Sequence, residues 1–389
     1  MAGEHSPEHT GSQKQSVAPA IWAGVLAGLG RPEVANRLAA CLAESLAWPN
    51  LPAEAHRLRV APLVYAGLRS AAVIGVPPSV LDALRRTTLA LGARSARLEQ
   101  AAAAVIAAAS ADGIPVLVLK GLALQKLAYP AGIVRAMDDV DLLVSPTDSL
   151  RLGRLLRDRG YRNNLRGEED FFAPDLSHSI DLHTGLVNTT RLPARGALWA
   201  EPFQEIWRRR QPFALGGAAA WALGPADTIQ HLAVHAVHHH GMQGASWMAD
   251  LLAALQTWPD AVHAVHRAPV GVRRSVWYCL EVLATNRHDP APAVRAALRP
   301  RWLLPGERHI LSLAAKTECS SHIRYAFTLA CLPGSSTKAA FLRQLLIPRG
   351  APYSTGFADA WSIPRHAWIA HWRNLAQLVT HQGFGGRPE

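Results

Sequence analysis

Two aspartates in an otherwise apolar segment are the first residues of this sequence that could carry out chemistry. Asp139 and Asp141 alternate with Val140 and Leu142 in the run DVDLLV, residues 139–144. In a β-strand, residues i and i+2 point to the same face, so the two carboxylates would lie side by side and repel each other. Mg²⁺ or Mn²⁺ would relieve that repulsion, because these ions prefer carboxylate oxygen. The alternative is a pair of strand-end aspartates that face solvent or cap the next element.

A second run, HSIDLHTGL at 178–186, brings in a third carboxylate. Its alternation predicts a strand with Ile180 and Leu182 facing the core, which turns Asp181 and His183 to the other side. If this strand neighbours the first, Asp181 completes a set of three acids around one or two metal ions. Nucleotidyl transfer needs such a set, because one metal activates the attacking hydroxyl and another neutralises the triphosphate. Asp181 could also accept the hydroxyl proton.

A Lys-Gly pair and an arginine are candidate phosphate ligands. The branched apolar run IPVLVL, residues 114–119, predicts a buried strand that ends at Lys120 and Gly121 and turns into a helix. Such a turn presents backbone N–H groups and the positive end of the helix dipole to an anion. Arg135, on the loop before Asp139, could bind phosphate oxygens in pairs. Its alternative is an arginine in solvent, and the glycine motifs of P-loops and dinucleotide sites are absent.

Histidines are concentrated in one predicted helix, DTIQHLAVHAVHHHG at 227–241. His231, His235 and His238 are spaced i, i+4 and i+7, so they share one helical face. Three interpretations remain open: hydrogen bonding toward the core, contact of His231 and His235 with substrate, together with His183, or a zinc site.

The order of elements predicts an α+β protein with a small mixed-sheet core. We expect a disordered tail at 1–18, an N-terminal helical region at 19–112, an α/β core at 113–215 and a C-terminal helical region at 216–389. With 389 residues, of which 49% are hydrophobic, the chain can bury a large core.

Charge and hydropathy narrow the class of partner. The formal charge of +11 could attract nucleic acid, but the basic residues are scattered, apart from WRRRQ at 207–211. We therefore expect a small anion such as a nucleotide rather than nucleic acid, with an RNA-directed transferase as an alternative. No apolar run is long enough to predict a transmembrane segment, and the polar N-terminus lacks the plan of a signal peptide, so we expect a cytoplasmic protein.

The motifs together resemble the bacterial family of uncharacterised nucleotidyltransferases, a branch of the DNA polymerase β-like superfamily. Lys120-Gly121, Arg135, DDVDLLV at 138–144, Gly-Tyr at 160–161 and IDLH at 180–183 carry the resemblance. It extends over about residues 20–255 and is sharpest between 114 and 185. Where the wider superfamily has Gly-Ser after the first strand, this chain has Lys120-Gly121.

The resemblance implies transfer of NMP from an NTP, dependent on Mg²⁺ or Mn²⁺. It assigns the metal and the catalysis to Asp139, Asp141 and Asp181, and the nucleotide to Lys120, Gly121 and Arg135. The acceptor, whether a small molecule, a peptide or a protein, is not indicated. The alternative is an inactive protein that keeps the fold and binds a nucleotide or a partner.

Overall fold

The computed structural model describes residues 18–31, 48–70, 75–163, 170–190, 192–286, 288–303, 306–316 and 323–346. The tail predicted at 1–18 lies outside these ranges, except for residue 18, and so does the end of the chain beyond 346. The chain divides into two compact units, Met1–Ala90 and Leu91–Glu389.

Helices form the described part of the first unit. They are α1 (Ala18–Gly28), α2 (Leu51–Arg57), α3 (Ala61–Ser70) and the first part of α4 (Pro78–Ala111), with a 3-10 turn at Trp48–Asn50. Helices α1 and α3 pack backbone to backbone, because a Cβ at Gly28 would overlap the carbonyl oxygen of Leu63, and one at Gly67 would overlap that of Gly24. Small residues at these positions are therefore required for the contact.

A seven-stranded mixed sheet organises the second unit. Its strands are β1 (Leu117–Val118), β2 (Asp139–Leu143), β3 (Arg162–Asn163), β4 (Asp170–Phe172), β5 (Ser179–His183), β6 (Gln211–Leu215) and β7 (Ala218–Ala222). Their order is β3-β4-β5-β2-β1-β7-β6. The pairs β2/β5 and β1/β7 are parallel and the others antiparallel. This mixed sheet with its helical flanks confirms the predicted α+β class.

The sheet continues beyond residue 215, where the sequence predicts the core to end. Strands β6 and β7 form a hairpin whose two-residue turn is Gly216 and Gly217, both with positive φ. Gly-Gly between two five-residue segments is a hairpin signal, although the alanines of β7 give it little strand propensity. The predicted domain boundaries themselves stay a prediction.

The remaining helices of the second unit surround the sheet. They are α5 (Lys120–Leu127), α6 (Pro146–Asp158), α7 (Phe203–Arg208), α8 (Pro225–His238), α9 (Ser246–Thr257), α10 (Val270–Thr285), α11 (Pro292–Leu298), α12 (Glu307–Ala315), α13 (Arg324–Cys331) and α14 (Ser335–Leu346). The segments Pro193–Leu198 and Pro259–Arg267 are 3-10 helices. No helix in the described ranges is long and apolar enough to cross a membrane.

One face of the sheet is apolar and packs against α4 and α6. Val140 and Leu142 of β2, with Ile180 and Leu182 of β5, are almost fully buried in this core. Because side chains alternate along a strand, the acidic residues of β2 and β5 are turned to the opposite face. The hydrophobic effect that fixes the first set therefore also positions the second.

Candidate active site

The two acidic strands are direct neighbours in the sheet. β2 and β5 pair in parallel, with Asp139 opposite Ser179 and Asp141 opposite Asp181. Asp139 and Asp141 share a face by the two-residue period, and the register places Asp181 and His183 on the same face. The structure thus brings together the three carboxylates that the sequence singled out.

Asp141 is the buried centre of the site, with only 8% of its surface exposed. The Nζ of Lys120 lies 2.8 Å from its Oδ1, and the Nε2 of His183 lies 2.9 Å from the same oxygen. Burial opposes ionisation, but Lys120 and His183 outweigh it and hold the pKa of Asp141 well below its usual range. Asp141 is therefore an anion at neutral pH.

Asp139 and Asp181 experience the opposite balance. Burial, followed by the charge of Asp141, raises the pKa of Asp139. Burial, followed by the charges of Asp139, Asp141 and Asp170, raises the pKa of Asp181 to about 7. Acidic groups at this site therefore outnumber the cations that neutralise them. A further positive charge would be electrostatically favourable there.

Asp170 is a fourth acid that the sequence analysis missed. It lies on β4, directly opposite Asp181 in the antiparallel pair β4/β5. The alternation of Asp170 with the buried Phe171 was the available signal, but a strand of three residues is too short for periodicity to identify it.

Three side chains of this face could hold a metal ion together. Asp141, Asp181 and His183 each offer one ligand atom, and the three atoms lie within 4.8 Å of one another. Among the described residues no other group of three His, Cys, Asp or Glu side chains has this property. Asp139 is outside this group of three but projects from the same face, one pleat away. The carboxylate oxygens suit Mg²⁺ or Mn²⁺ and so fit the predicted ion, whereas the imidazole of His183 is a ligand more typical of transition metals.

Lys120 connects the carboxylates to the histidine-rich helix. The N–H of Leu119 donates to the carbonyl of Asp141 at 2.9 Å, which fixes the end of β1 beside β2. The next residue, Lys120, begins α5 with φ of 41°, a value that few residues other than glycine adopt. Its Nζ contacts both Asp141 and, at 3.0 Å, the Nε2 of His235. Backbone strain of this kind is characteristic of functional sites.

Comparison with known proteins identifies the family of this chain. A family model described as "Uncharacterised nucleotidyltransferase" matches residues 44–286, more than half of the chain. The chain belongs to this nucleotidyltransferase family. The matched range includes the whole sheet and ends just after α10, so it contains every residue of the acidic site. No curated protein and no solved structure matches the chain significantly.

Arg135 pairs with Asp250 and not with the carboxylates of β2 and β5. Its Nε and Nη2 donate to the two oxygens of Asp250, on α9, at 2.8 and 2.7 Å. The hydroxyl of Tyr129 donates to Asp250 Oδ1 at 2.7 Å. All three groups are largely or fully buried, so the predicted role of Arg135 as a phosphate clamp would require this ion pair to open. Gly121 lies close by, since a Cβ there would be 3.3 Å from Arg135 Nη1.

The three histidines of α8 do not act as one group. His238 points away from the site, where its ring nitrogens bond Thr328 at 2.9 Å and Ser275 at 2.8 Å. His238 lies within about 20° of His231 around the helix axis, as the spacing predicts, but two turns further along the helix it is bound by α10 and α13 instead of contributing to the site. The zinc interpretation loses its third ligand with it.

His231 and His235 do lie on the side of the acidic site. His231 is 4% exposed, and neither of its ring nitrogens has a hydrogen-bond partner within the described chain. Burial, followed by the charges of Lys120 and His183, lowers the pKa of His231 to about 3, so its imidazole is neutral. His235 contacts Lys120, as described above.

A cleft of about 300 Å³ begins at His183. The loop that follows β5, residues 184–189, forms one wall, and Gly196, Trp199 and Glu201 contribute to the other. Glu201 is fixed there, since it accepts from Trp199 Nε1 at 3.0 Å and pairs with Arg209 at 2.8 Å. This volume is at the lower end of the range for small-molecule sites.

Proposed function

We propose that this protein transfers a nucleotidyl group from an NTP to a hydroxyl of an acceptor, in a reaction that depends on Mg²⁺ or Mn²⁺. The observation that supports it most is the acidic face of the parallel pair β2/β5. There Asp141, Asp181 and His183 present ligand atoms within 4.8 Å of one another, with Asp139 beside them. Membership of a nucleotidyltransferase family supports nucleotidyl transfer as the reaction at this acidic face.

In the proposed reaction the acceptor oxygen bonds to the α-phosphorus, and the bond from that phosphorus to the bridging oxygen of the β-phosphate breaks. Pyrophosphate leaves, and the hydroxyl proton passes to a carboxylate oxygen of Asp181. The divalent ion would be held by Asp139, Asp141, Asp181 and His183. When bound, it would neutralise part of the negative charge of the triphosphate. Lys120, between Asp141 and His235, adds a point charge for the phosphates.

The acceptor would enter through the cleft that begins at His183. Its walls offer hydroxyl and amide groups from Thr184, Asn188 and Thr189, and its volume suits a small molecule or the tip of a peptide. Since His183 also contacts Asp141, an acceptor in this cleft would reach the carboxylates directly. A cytoplasmic location is consistent with NTP as the donor.

One observation favours the second candidate, a binding protein that keeps the fold without transfer. The ammonium of Lys120 already supplies the counter-charge of Asp141, at the position where a metal ion would act. Such a protein would bind nucleotide through Lys120 and release no pyrophosphate.

Incubation with labelled NTPs, Mg²⁺ and a cell extract, with pyrophosphate release measured in parallel, tests the proposal. We expect a labelled acceptor with wild-type protein and loss of labelling by at least about a hundredfold in Asp139→Asn and Asp141→Asn, because each removes a carboxylate from the metal site. Asp260→Asn, at an exposed position on the 3-10 helix Pro259–Arg267, is the matched control and should label normally.

Two results would decide against the proposal. Retained labelling in either site variant would remove the metal mechanism. Metal-dependent ATP binding by calorimetry, without pyrophosphate release on any acceptor pool, would establish the binding protein instead.

A further inference from the structure

A second set of cationic and imidazole side chains adjoins the acidic site at the C-terminal end of α8. We call it the basic cluster, and it consists of His235, His239, His240, Arg195 and Arg324. None of these residues except His235 was singled out from the sequence.

The basic cluster is continuous with the lysine of the acidic site. Lys120 Nζ lies 3.0 Å from the Nε2 of His235. The His235 ring stacks on His239 with centroids 4.8 Å apart, and meets His240 edge-on at 4.6 Å. His239 and His240 are exposed, so the cluster opens to solvent.

Two arginines close the other side of the cluster. Arg324 Nη1 donates to the carbonyl of His239 at 3.2 Å, and Arg195 Nη2 donates to the carbonyl of His238. Within the described residues neither guanidinium is paired with a carboxylate. The Nε of Arg195 is buried and has no hydrogen-bond partner there.

Capping of α8 accounts for only part of this arrangement. Arginines near a helix C-terminus satisfy free carbonyls and complement the dipole, which explains one N–H of each guanidinium. Capping does not explain why the Nε of Arg195 has no partner among the described residues. Nor does it explain why two guanidinium groups lie close enough to repel each other. Burial, followed by the charge of Arg324, lowers the pKa of Arg195 to about 10. Arg324 also donates from Nη2 to the hydroxyl of Tyr325 at 3.2 Å, which leaves its positive charge without a carboxylate partner in the described part of the chain. A buried donor without a partner and two neighbouring guanidinium groups without a carboxylate both indicate an anionic ligand.

We propose that the basic cluster binds a phosphate chain of two or more phosphates. Guanidinium groups bind phosphate oxygens in pairs, and neutral imidazoles can donate one further hydrogen bond each. Its position beside Lys120 rests on the proposed function, in which pyrophosphate or triphosphate is handled next to the carboxylates. The phosphate chain would come either from the NTP or from a phosphorylated acceptor.

Calorimetric titration with inorganic pyrophosphate and tripolyphosphate, in EDTA without divalent metal, tests the proposal independently of metal binding. We expect wild-type protein to bind both anions, with affinity that falls as salt rises. The double variant Arg195→Gln with Arg324→Gln should bind at least about tenfold more weakly, a loss of about 1.4 kcal/mol or more. The double variant Arg195→Lys with Arg324→Lys, which keeps the charges, should retain most of the affinity.

Arg308→Gln is the matched control, since Arg308 is an exposed arginine elsewhere in the second unit. It should bind pyrophosphate as wild type does. If the double variant does not fold, the exposed His239→Gln and the single Arg324→Gln variants replace it. Absence of pyrophosphate binding in wild type would overturn the proposal. So would unchanged binding in variants with lowered thermal stability, the outcome expected if the arginines only cap α8.

Competition identifies the source of the phosphate chain. Displacement of bound ATP by pyrophosphate would assign the cluster to the NTP, whereas simultaneous binding of both would assign it to the acceptor; either result upholds the site. Asp141→Asn separates the two proposals, because failure of nucleotidyl transfer would leave metal-free pyrophosphate binding in place.

Discussion

Asp181 is the residue whose ionisation depends most on what else occupies the acidic site. Its carboxylate lies between Asp141 on β2 and Asp170 on β4, and burial with these charges raises its pKa to about 7. A cation bound at Asp141 and Asp181 would reverse the sign of that environment. The ionisation of one side chain therefore reports whether a metal is present.

We predict that Asp181 makes the metal-free protein less stable as the pH rises. A carboxyl whose folded pKa is raised stabilises the fold below its unfolded pKa of about 4, and that stability is lost as pH rises toward 7. Relative to Asp181→Asn, wild type should lose free energy of unfolding between pH 4.5 and 7.5 in EDTA. Urea unfolding at several pH values measures this difference, and Mg²⁺ should restore wild type more than the variant. Parallel pH profiles for the two proteins would contradict the assignment.

An ion pair connects helix α9 to the loop before β2. Arg135 and Asp250 make two hydrogen bonds in a buried setting, with Tyr129 as a third partner. The pair anchors the segment that leads directly into Asp139, so it positions the acidic strand. Its loss would leave a buried guanidinium without a counter-charge.

Asp250→Asn should destabilise the protein by about 3–5 kcal/mol, because breaking one side of a buried ion pair costs more than the pair contributes. Chemical denaturation measures the change. Glu205→Gln, which removes an exposed partner of Arg208, should cost no more than about 1 kcal/mol. A similar small effect at Asp250 would mean that the pair is solvated and does not anchor α9.

At the scale of the whole molecule, the neutral histidines of α8 govern acid stability. His231 and His238 are almost fully buried, and burial is the first cause that lowers the pKa of both. His235 follows the same pattern. Protonation of these rings is therefore available mainly to the unfolded chain.

We predict that the free energy of unfolding falls as pH drops below about 6.5, by up to about 1.4 kcal/mol per pH unit for each buried histidine. A group with a lowered folded pKa contributes stability above its unfolded pKa and loses it on acidification. His238→Gln can keep bonds to Thr328 and Ser275. It should lower the slope of the free energy of unfolding against pH by about 1.4 kcal/mol per pH unit, because one fewer proton is taken up on unfolding. Urea unfolding between pH 6.5 and 4.5 measures the slope; an unchanged slope would show that His238 takes up a proton in the folded state.

The sequence was sufficient to predict the acidic strands and the family. Alternation in DVDLLV and SIDLH depends only on local chain geometry, so the faces of Asp139, Asp141 and Asp181 followed from the two-residue period. The family match over residues 44–286 confirms the resemblance that those motifs carried. Site roles stay predictions, and so do the metal, the acceptor and the location.

Only the tertiary structure decided which side chains meet. The pairing of β2 with β5, the contact of Lys120 with Asp141 and His235, and the engagement of Arg135 by Asp250 join residues 21 to 115 positions apart. No local period constrains such contacts, because they depend on how strands order in the sheet and helices dock on it. The basic cluster is the clearest case, since α8, α13 and the segment at 193–198 form it only where the folded chain brings their ends together.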